Sequence, residues 1–278
     1  VPEKTVKRVN EVKATIWFSV PSMLVFLLTT KSLKNEDFPA IRVISFGGEG
    51  FPKAKLKHLY DLYSPRVRIV NVYGPTECTC ICSAYDVNEN DFVDMQKLAP
   101  LGHLAPNFGY LILNPDENTG IGELALTGPQ VGLGYYNDPE RTQDSFIPHP
   151  EYMNISQKIY KTGDLVKEDE NGKLHIFGRA DNQIKHMGYR IELEEIEAGF
   201  NTLPYVKEAC AVYKNLGNGL GFIRTYISLK SIVDQSVVFE DIRKILPTYM
   251  IPKFIEILDE LPKNQNGKID RVALKNLI

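Results

Sequence analysis

The chain has 278 residues, of which 43% are hydrophobic and 24% charged, and its formal net charge is −3. This composition excludes a fibrous repeat and a disordered chain, and it predicts a globular protein with room for about two domains. Because 32 basic residues are balanced by 35 acidic ones, we expect no nucleic-acid partner.

The longest apolar stretch and the cysteines bear on where the protein is found. Residues 15–28 include a proline and two serines and fall short of the ~20 residues that a membrane-spanning helix needs, so we interpret them as buried core. Three of the four cysteines alternate at positions 78, 80 and 82, where no pair can bridge across the fold. We therefore expect a reducing, cytoplasmic environment and no membrane insertion.

The first part of the chain alternates strand-like and helix-like segments. Residues 41–46 and 66–72 are apolar and β-branched, and residues 53–64 carry apolar side chains at helical spacing, which predicts a strand, helix, strand unit of an α/β sheet. From residue 99 short strands separated by turns predict a β-barrel-like subdomain. These strands are residues 108–113, 122–128, 159–166 and 172–178.

A third region begins near Arg179. The segment GRADNQ at residues 178–183 lacks helical or strand periodicity and marks a domain boundary. The residues after this boundary predict a small α+β domain of about 95 residues, a size that can fold alone. Its predicted elements are a helix with a stripe at residues 193, 196, 200 and 203, strands at 208–213, 222–229 and 253–258, and a helix at 238–246.

The usual signatures of several enzyme classes are absent. The sequence has no GxxxxGK[ST] loop, no GxSxG elbow and no HExxH pair, which removes the common motifs of P-loop, hydrolase and zincin chemistry.

Instead, turns beside predicted strands carry polar side chains suited to a nucleotide. In FGGEG at residues 46–50, Gly48 lets the backbone approach a flat ligand beside Glu49, although a plain tight turn is the alternative. In NVYGPTE at residues 71–77, an aromatic ring, a hydroxyl and a carboxylate follow the next strand, where ligand crevices form in α/β sheets. Tyr73 can stack on a purine, Thr76 can bond a phosphate, and Glu77 can hold Mg²⁺.

Two further segments add charged groups. Asp164 of YKTGD lies on a glycine turn and can accept hydrogen bonds from both ribose hydroxyls, or can merely stabilise the turn. Arg179 lies at the boundary, and Lys268 of NGKIDR (residues 266–271) lies on a glycine turn near the chain end. Such cations suit the charge that develops on a phosphate or carboxylate, although as isolated residues they are more often surface charges.

Together these motifs resemble the acyl-adenylate-forming superfamily. The motifs are most similar to the amino-acid-activating branch, which includes adenylation domains of nonribosomal peptide synthetases and D-alanine–D-alanyl carrier protein ligases. The segments that carry this similarity are NVYGPTE, YKTGD, GRADNQIKHMGYRIELEEIE and LPKNQNGKIDR. The resemblance implies a ligase that uses ATP and Mg²⁺ to adenylate an amino acid and then transfers the acyl group to the phosphopantetheine thiol of a carrier protein.

The resemblance also implies a role for each matching residue. Glu77 is implied as the Mg²⁺ ligand, with Lys268 and Thr76 as catalytic groups and Asp181 as the hinge. The implied nucleotide contacts are Gly48, Glu49, Asn71, Tyr73, Gly74, Asp164 and Arg179. The implied acyl pocket is Ser45, Gly47, Val72, Cys80 and Ile81, whose small and apolar character favours a small amino acid, and Gly188 and Arg190 are implied to line the thiol tunnel.

The implied organisation has four parts. Residues 1–98 form a partial α/β adenylate-forming core, 99–178 the β-barrel-like subdomain, 179–181 the hinge, and 182–278 a mobile C-terminal α+β domain. The phosphate loop that precedes these motifs in the family is absent, so we expect a missing N-terminal half before Val1 and an isolated chain without activity. An acyl-CoA or aryl-CoA ligase, and a non-catalytic nucleotide- or partner-binding fragment, are the alternatives.

Overall fold

The computed structural model describes residues 2–95, 98–150, 158–216, 220–264 and 268–277. The chain packs into two compact units, Val1–Asp181 and Asn182–Ile278. Each unit has its own sheets and its own hydrophobic clusters. None of the helices in the described ranges is both long and apolar enough to cross a bilayer.

The first unit begins with a mixed four-stranded sheet. Its strands are arranged in the order β1-β2-β3-β4, parallel except for β4, and helices cover it. The elements are α1 (Pro2–Glu11), β1 (Ile16–Ser19), α2 (Pro21–Thr29), β2 (Val43–Gly47), α3 (Lys53–Tyr63), β3 (Arg68–Tyr73) and β4 (Ser83–Asp86). The predicted strand, helix, strand unit is therefore confirmed.

The apolar pattern explains this sheet. Ile44 and Phe46 of β2 are fully buried, as expected for a strand with neighbours on both sides and helices above it. On α3, Leu56, Leu59 and Tyr63 recur at helical spacing and form the buried face.

Residues 15–28 are only partly core. The helix α2 buries Leu24 and Leu27, but Ile16 and Phe18 on β1 are 59% and 60% exposed. Because β1 is the edge strand of its sheet, one side of it has no neighbouring strand among the described residues.

An antiparallel five-stranded sheet comes next in the same unit. The strand order is β5-β6-β8-β7, with β9 also paired to β8, and the pairings among the described strands do not close it into a barrel. The elements are β5 (Gly109–Leu113), β6 (Gly122–Thr127), α4 (Pro139–Ser145), β7 (Phe146–Pro148), β8 (Lys158–Glu168) and β9 (Leu174–Arg179). A shared core joins Tyr73 at the end of β3 to Leu124, Phe146 and Tyr160 of this sheet.

The second unit is a small α+β fold. It contains the hairpin β10–β11 and a three-stranded sheet of order β12-β13-β14, covered by helices. The elements are β10 (Gln183–His186), β11 (Tyr189–Glu192), α5 (Leu193–Asn201), β12 (Val206–Asn215), β13 (Gly221–Leu229), α6 (Gln235–Ile245), β14 (Phe254–Ile257) and α7 (Arg271–Asn276). The mixed α/β architecture predicted for the chain is confirmed.

The boundary segment is more regular than the sequence indicates. Strand β9 runs through Arg179 and β10 starts at Gln183, so only residues 180–182 of GRADNQ lie outside strands. The short, polar β10 does not show the alternation that identifies longer strands.

Candidate functional site

A buried carboxylate, Asp164, lies at the centre of the candidate site. It is on β8, is only 3% exposed, and is directly opposite Arg179 in the β8–β9 register. Its Oδ2 accepts a hydrogen bond from the Tyr73 hydroxyl at 2.7 Å, and its Oδ1 accepts one from Arg179 Nη1 at 2.7 Å. Two elements far apart in sequence thus fix the orientation of the carboxylate.

Arg179 joins Asp164 to Asp181. Its Nε donates to Asp181 Oδ1 at 2.7 Å and its Nη2 to Asp181 Oδ2 at 2.6 Å, a bidentate pair. Burial alone would lower the pKa of the guanidinium, but the hydrogen bonds and charges of the two carboxylates outweigh burial and raise it. The residue therefore remains a cation that holds both carboxylates.

Gly163 makes this arrangement possible. Its φ is +72°, and a Cβ built on it would overlap Arg179 Nη2 and lie 2.6 Å from Asp181 Oδ2. A side chain at this position would therefore displace the ion pair.

Tyr73 is a core residue with a polar end. Its side chain is 6% exposed, and burial, followed by the charge of Asp164, raises the pKa of the phenol well above its usual value. The hydroxyl therefore keeps its proton and acts as a donor to Asp164.

The chain turns sharply after Tyr73. A 3₁₀ turn spans Thr76–Cys78, and Cys82 N donates to Tyr73 O at 2.7 Å, which closes the loop. Thr79 and Cys80 have φ of 60° and 79°, two consecutive non-glycine residues in the left-handed region. Gly74 allows the fold-back, because a Cβ there would overlap the Cys80 carbonyl oxygen.

Glu77, on this turn, is held by the segment that connects β6 with α4. The Tyr135 hydroxyl donates to Glu77 Oε1 at 2.6 Å, Gly132 N donates to Glu77 O at 2.8 Å, and Thr79 Oγ1 donates to Gln130 O at 3.0 Å. The sequence patterns did not identify Tyr135, because nothing local connects it with a residue 58 positions earlier.

The donor chemistry here suits Mg²⁺. Mg²⁺ prefers oxygen ligands and is usually bound by one or two carboxylates together with substrate phosphates and water. Glu77 offers a carboxylate and the nearby Thr76 a hydroxyl. No group of three or more His, Cys, Asp or Glu side chains in the described part of the chain forms an all-protein metal site.

The residues of FGGEG and Asn71 have structural partners. Glu49 Oε2 accepts a hydrogen bond from Ser22 N at 3.0 Å, so it caps the N-terminus of α2, and exposed Gly48 has φ +88°. A Cβ on Gly47 would lie 2.5 Å from Val72 O, so this glycine allows close approach of β2 and β3. Asn71 is 8% exposed, and its amide donates to Pro100 O at 2.9 Å.

The residues of the implied acyl pocket differ in exposure. Ser45 Oγ donates to Trp17 O at 3.1 Å, and Ile81 is 44% exposed. Cys80 is exposed, whereas Cys78 and Cys82 are buried, so the alternating cysteines do not share one face. The 3₁₀ turn and the two left-handed residues interrupt the alternation that a strand would give.

The second unit carries the remaining residues. Gly188 follows Met187 in the turn of the β10–β11 hairpin, and both have positive φ, as a type I′ turn requires. Arg190 is exposed, and its Nη2 lies 4.0 Å from Glu192 Oε1.

Lys268 lies on an exposed loop of the same unit. Its backbone N donates to Asn264 Oδ1 at 3.1 Å, and Asn264 N donates to its carbonyl at 2.7 Å. Asn266 and Gly267 of the NGK motif lie outside the described residues.

Comparison with known proteins identifies the family. The AMP-binding enzyme family matches residues 2–136, and the AMP-binding enzyme C-terminal domain matches residues 195–268. The chain is 34% identical over 99% of its length to delta-poly-L-ornithine synthetase of Acinetobacter baumannii, covering 20% of that protein. It is 32% identical over 96% of its length to D-alanine–D-alanyl carrier protein ligase of Streptococcus agalactiae, covering 54% of it.

A solved structure shows the same architecture. Holo-PA1221, a nonribosomal peptide synthetase protein containing adenylation and carrier domains, superposes with a TM-score of 0.80 at 27% identity, over 98% of this chain and 46% of that one. The chain thus spans about half or less of the length of these relatives. The matches cover both units and confirm the resemblance of the motifs, so the chain belongs to the AMP-binding enzyme family.

Proposed function

We propose that this chain is part of an ATP-dependent ligase that adenylates a small amino acid and transfers it to the phosphopantetheine thiol of a carrier protein. The observation that carries the proposal is the hydrogen-bonded series Tyr73–Asp164–Arg179–Asp181. It brings together an aromatic residue, a carboxylate and a guanidinium that the family motifs assign to a nucleotide. The relatives include one named for a D-alanyl carrier protein, which supports the carrier as acceptor.

The reaction has two steps, adenylation of the substrate and transfer of the acyl group to the thiol. The substrate carboxylate oxygen attacks the α-phosphorus of ATP, forming the acyl-phosphate bond as the bond to pyrophosphate breaks. The carrier thiol, losing its proton, then attacks the acyl carbon, and AMP leaves with the electrons of the broken bond.

The first unit binds the nucleotide in this proposal. Asp164 and Arg179 contact the ribose. A carboxylate has about four acceptor positions, and Tyr73 and Arg179 each donate to one of those of Asp164, so positions remain that can accept from the ribose hydroxyls. Tyr73 contacts the adenine. Further nucleotide contacts come from Gly48, Glu49, Asn71 and Gly74.

The phosphates are bound at the turn after β3. Thr76 would bond a phosphate, and Glu77 would hold Mg²⁺. When bound, Mg²⁺ neutralises phosphate charge and orients the transferring group.

The acyl chain lies against residues of β2, of β3 and of the segment that follows the turn. Ser45, Gly47, Val72, Cys80 and Ile81 form its pocket, and their small volume restricts it to a small amino acid. In the second unit, Gly188 and Arg190 line the path of the thiol. Asp181, the last residue of the first unit, is the hinge at which the chain bends between the two steps.

The test uses the protein expressed from its full open reading frame. ATP–pyrophosphate exchange is measured over a panel of amino and carboxylic acids, followed by thioester formation on a phosphopantetheinylated carrier protein and on free CoA. Exchange with a small amino acid and acylation of the carrier support the proposal. Acylation of CoA alone would favour an acyl-CoA ligase, and absence of exchange with every acid would favour a non-catalytic binding module.

Lys268 is expected to act in the first step only. Its ammonium stabilises charge on the reacting phosphate and carboxylate, so Lys268→Ala should slow pyrophosphate exchange by about 100-fold or more while thiolation from a supplied adenylate continues. Lys275→Ala, which removes another exposed lysine of the same unit, is the control and should leave both rates unchanged. Equal loss of the two half-reactions in Lys268→Ala would contradict the assigned role.

A further inference from the structure

Tyr135 donates a short hydrogen bond to Glu77, and no motif of the sequence assigns it a role. We propose that Tyr135 is a positioning residue that fixes the Glu77 carboxylate for binding of Mg²⁺. The inference rests on the proposed function, because it concerns the metal of the same nucleotide site.

The hydrogen bond is short and charge-assisted. The Tyr135 hydroxyl donates to Glu77 Oε1 at 2.6 Å, within the range of O–H to carboxylate bonds. Glu77 lies on a 3₁₀ turn of only three residues, Thr76–Cys78, so local helical structure alone gives its side chain little support. The Tyr135 hydroxyl, from another part of the fold, therefore contributes to the orientation of this carboxylate.

Further hydrogen bonds connect the two segments that carry Tyr135 and Glu77. Gly132 N donates to Glu77 O at 2.8 Å, and Thr79 Oγ1 donates to Gln130 O at 3.0 Å. With the tyrosine hydroxyl, three hydrogen bonds connect residues 130–135 to residues 77–79. The segment that carries Tyr135 is thus fixed relative to the turn that carries Glu77.

Tyr135 itself is held on several sides. Its backbone N donates to Thr142 Oγ1 at 2.8 Å, and its ring packs edge-on against Phe146 with centroids 5.5 Å apart. The Arg141 guanidinium lies over the ring at 4.6 Å from the centroid. Gly134 has φ +145° and a built Cβ would lie 2.8 Å from Thr142 Oγ1, so a glycine before Tyr135 allows this contact.

The contacts with Phe146 and Arg141 are made by the ring of Tyr135, so a substitution that keeps the ring can test the hydroxyl separately. Tyr135→Phe retains the packing against Phe146 and the face presented to Arg141, and it removes the donor to Glu77. Groups that orient a metal ligand in this way typically change metal affinity by about 10-fold to 100-fold when they are removed.

The experiment measures nucleotide binding rather than turnover. ATP affinity of the full-length protein is determined by calorimetry in EDTA and across a Mg²⁺ titration, for wild type, Tyr135→Phe and Tyr136→Phe. Tyr136 is the matched control, because it is the adjacent tyrosine and is 94% exposed. For Tyr135→Phe we expect unchanged ATP affinity in EDTA and about a tenfold higher Mg²⁺ concentration at half-saturation, with no change for Tyr136→Phe.

A double variant tests whether the effect passes through Glu77. Glu77→Gln should remove most of the Mg²⁺ dependence, and adding Tyr135→Phe to it should have no further effect, because both act on the same carboxylate. Additive effects would overturn the proposal.

The remaining outcomes separate this inference from the proposed function. Wild-type protein that binds ATP with normal Mg²⁺ dependence, together with identical behaviour of Tyr135→Phe, would overturn the role of Tyr135 and leave the proposed function intact. A loss of ATP affinity in Tyr135→Phe that is equal in EDTA and in Mg²⁺ would also overturn the role of Tyr135. The hydroxyl would then contribute to nucleotide binding without acting through the metal. Wild-type protein with no ATP affinity would overturn the proposed function and the inference with it.

Discussion

Gly163 shows how the absence of one side chain positions two charged groups. The space that a Cβ would occupy contains the Arg179–Asp181 ion pair, and the residue also has φ +72°. Any L side chain therefore meets both a strained backbone and an occupied volume.

Gly163→Ala should weaken ATP binding and destabilise the fold. The left-handed backbone costs about 1–2 kcal/mol, and displacing Arg179 disturbs the carboxylate of Asp164. Gly172→Ala is the matched control, because φ is +74° but the nearest atom to its Cβ is 3.5 Å away. Both variants should lose stability in urea titrations, and only Gly163→Ala should lose ATP affinity; equal ATP affinity in the two would count against a role for the ion pair.

Individual site residues were predictable from their own motifs, whereas the contacts between distant motifs were not. Asp164 and Arg179 were identified as candidates, although Asp164 lies on strand β8 and not on the turn that YKTGD predicts. Tyr73 was identified as well, but it lies 91 residues before Asp164, so the hydrogen bond between the two left no local signal. Glu77 and Tyr135 are a second such pair. Contacts of this kind depend on how β3 and the antiparallel sheet share a core, which a one-dimensional pattern does not record.

At the scale of elements, the N-terminus of α2 is capped from a distant loop. Its N-cap residue, Val20, has no side-chain cap, and Ser22 N instead donates to Glu49 Oε2. The carboxylate satisfies an otherwise unpaired donor and complements the helix dipole. Glu49 therefore has a stabilising role whether or not it also contacts a nucleotide.

Glu49→Ala should lower the free energy of unfolding by about 0.5–2 kcal/mol without nucleotide present. Glu117→Ala, at an exposed loop position of the same unit, removes an equal charge and should have little effect. Denaturant unfolding followed by circular dichroism measures the difference. Equal stability of the two variants would show that the cap contributes nothing.

The predictability of elements depended on the strength of the pattern. The helix α3 and the strands β2 and β3 were anticipated because each buries a continuous or periodic apolar face. Residues 15–28 were not, because the exposure of Ile16 and Phe18 depends on what lies beside the edge strand. Burial at a sheet edge is a property of neighbours, whereas hydrophobicity is a property of the residue.

For the whole molecule, the second unit contains what an independent fold needs. Its core includes Ile196 and Phe200 of α5 packed with Val238 and Ile242 of α6, all fully buried. Arg271 at the start of α7 donates through Nη1 to Glu197 at 2.7 Å, which joins α7 to α5. These contacts lie entirely within residues 182–278.

Residues 182–278 should therefore fold when they are expressed alone, with a cooperative unfolding transition in urea and dispersed amide signals in NMR spectra. Ile196→Ala should destabilise this unit by about 2–5 kcal/mol, because it leaves a cavity between α5 and α6. Val272→Ala, which removes two methyl groups from a side chain that is 70% exposed, should change stability by less than about 0.5 kcal/mol. Since a domain of this size is stabilised by only about 5–15 kcal/mol, the difference between the two variants is a large fraction of the total. A chain of these residues without a cooperative transition, or equal effects of the two substitutions, would show that the core of this unit is not sufficient to specify its fold.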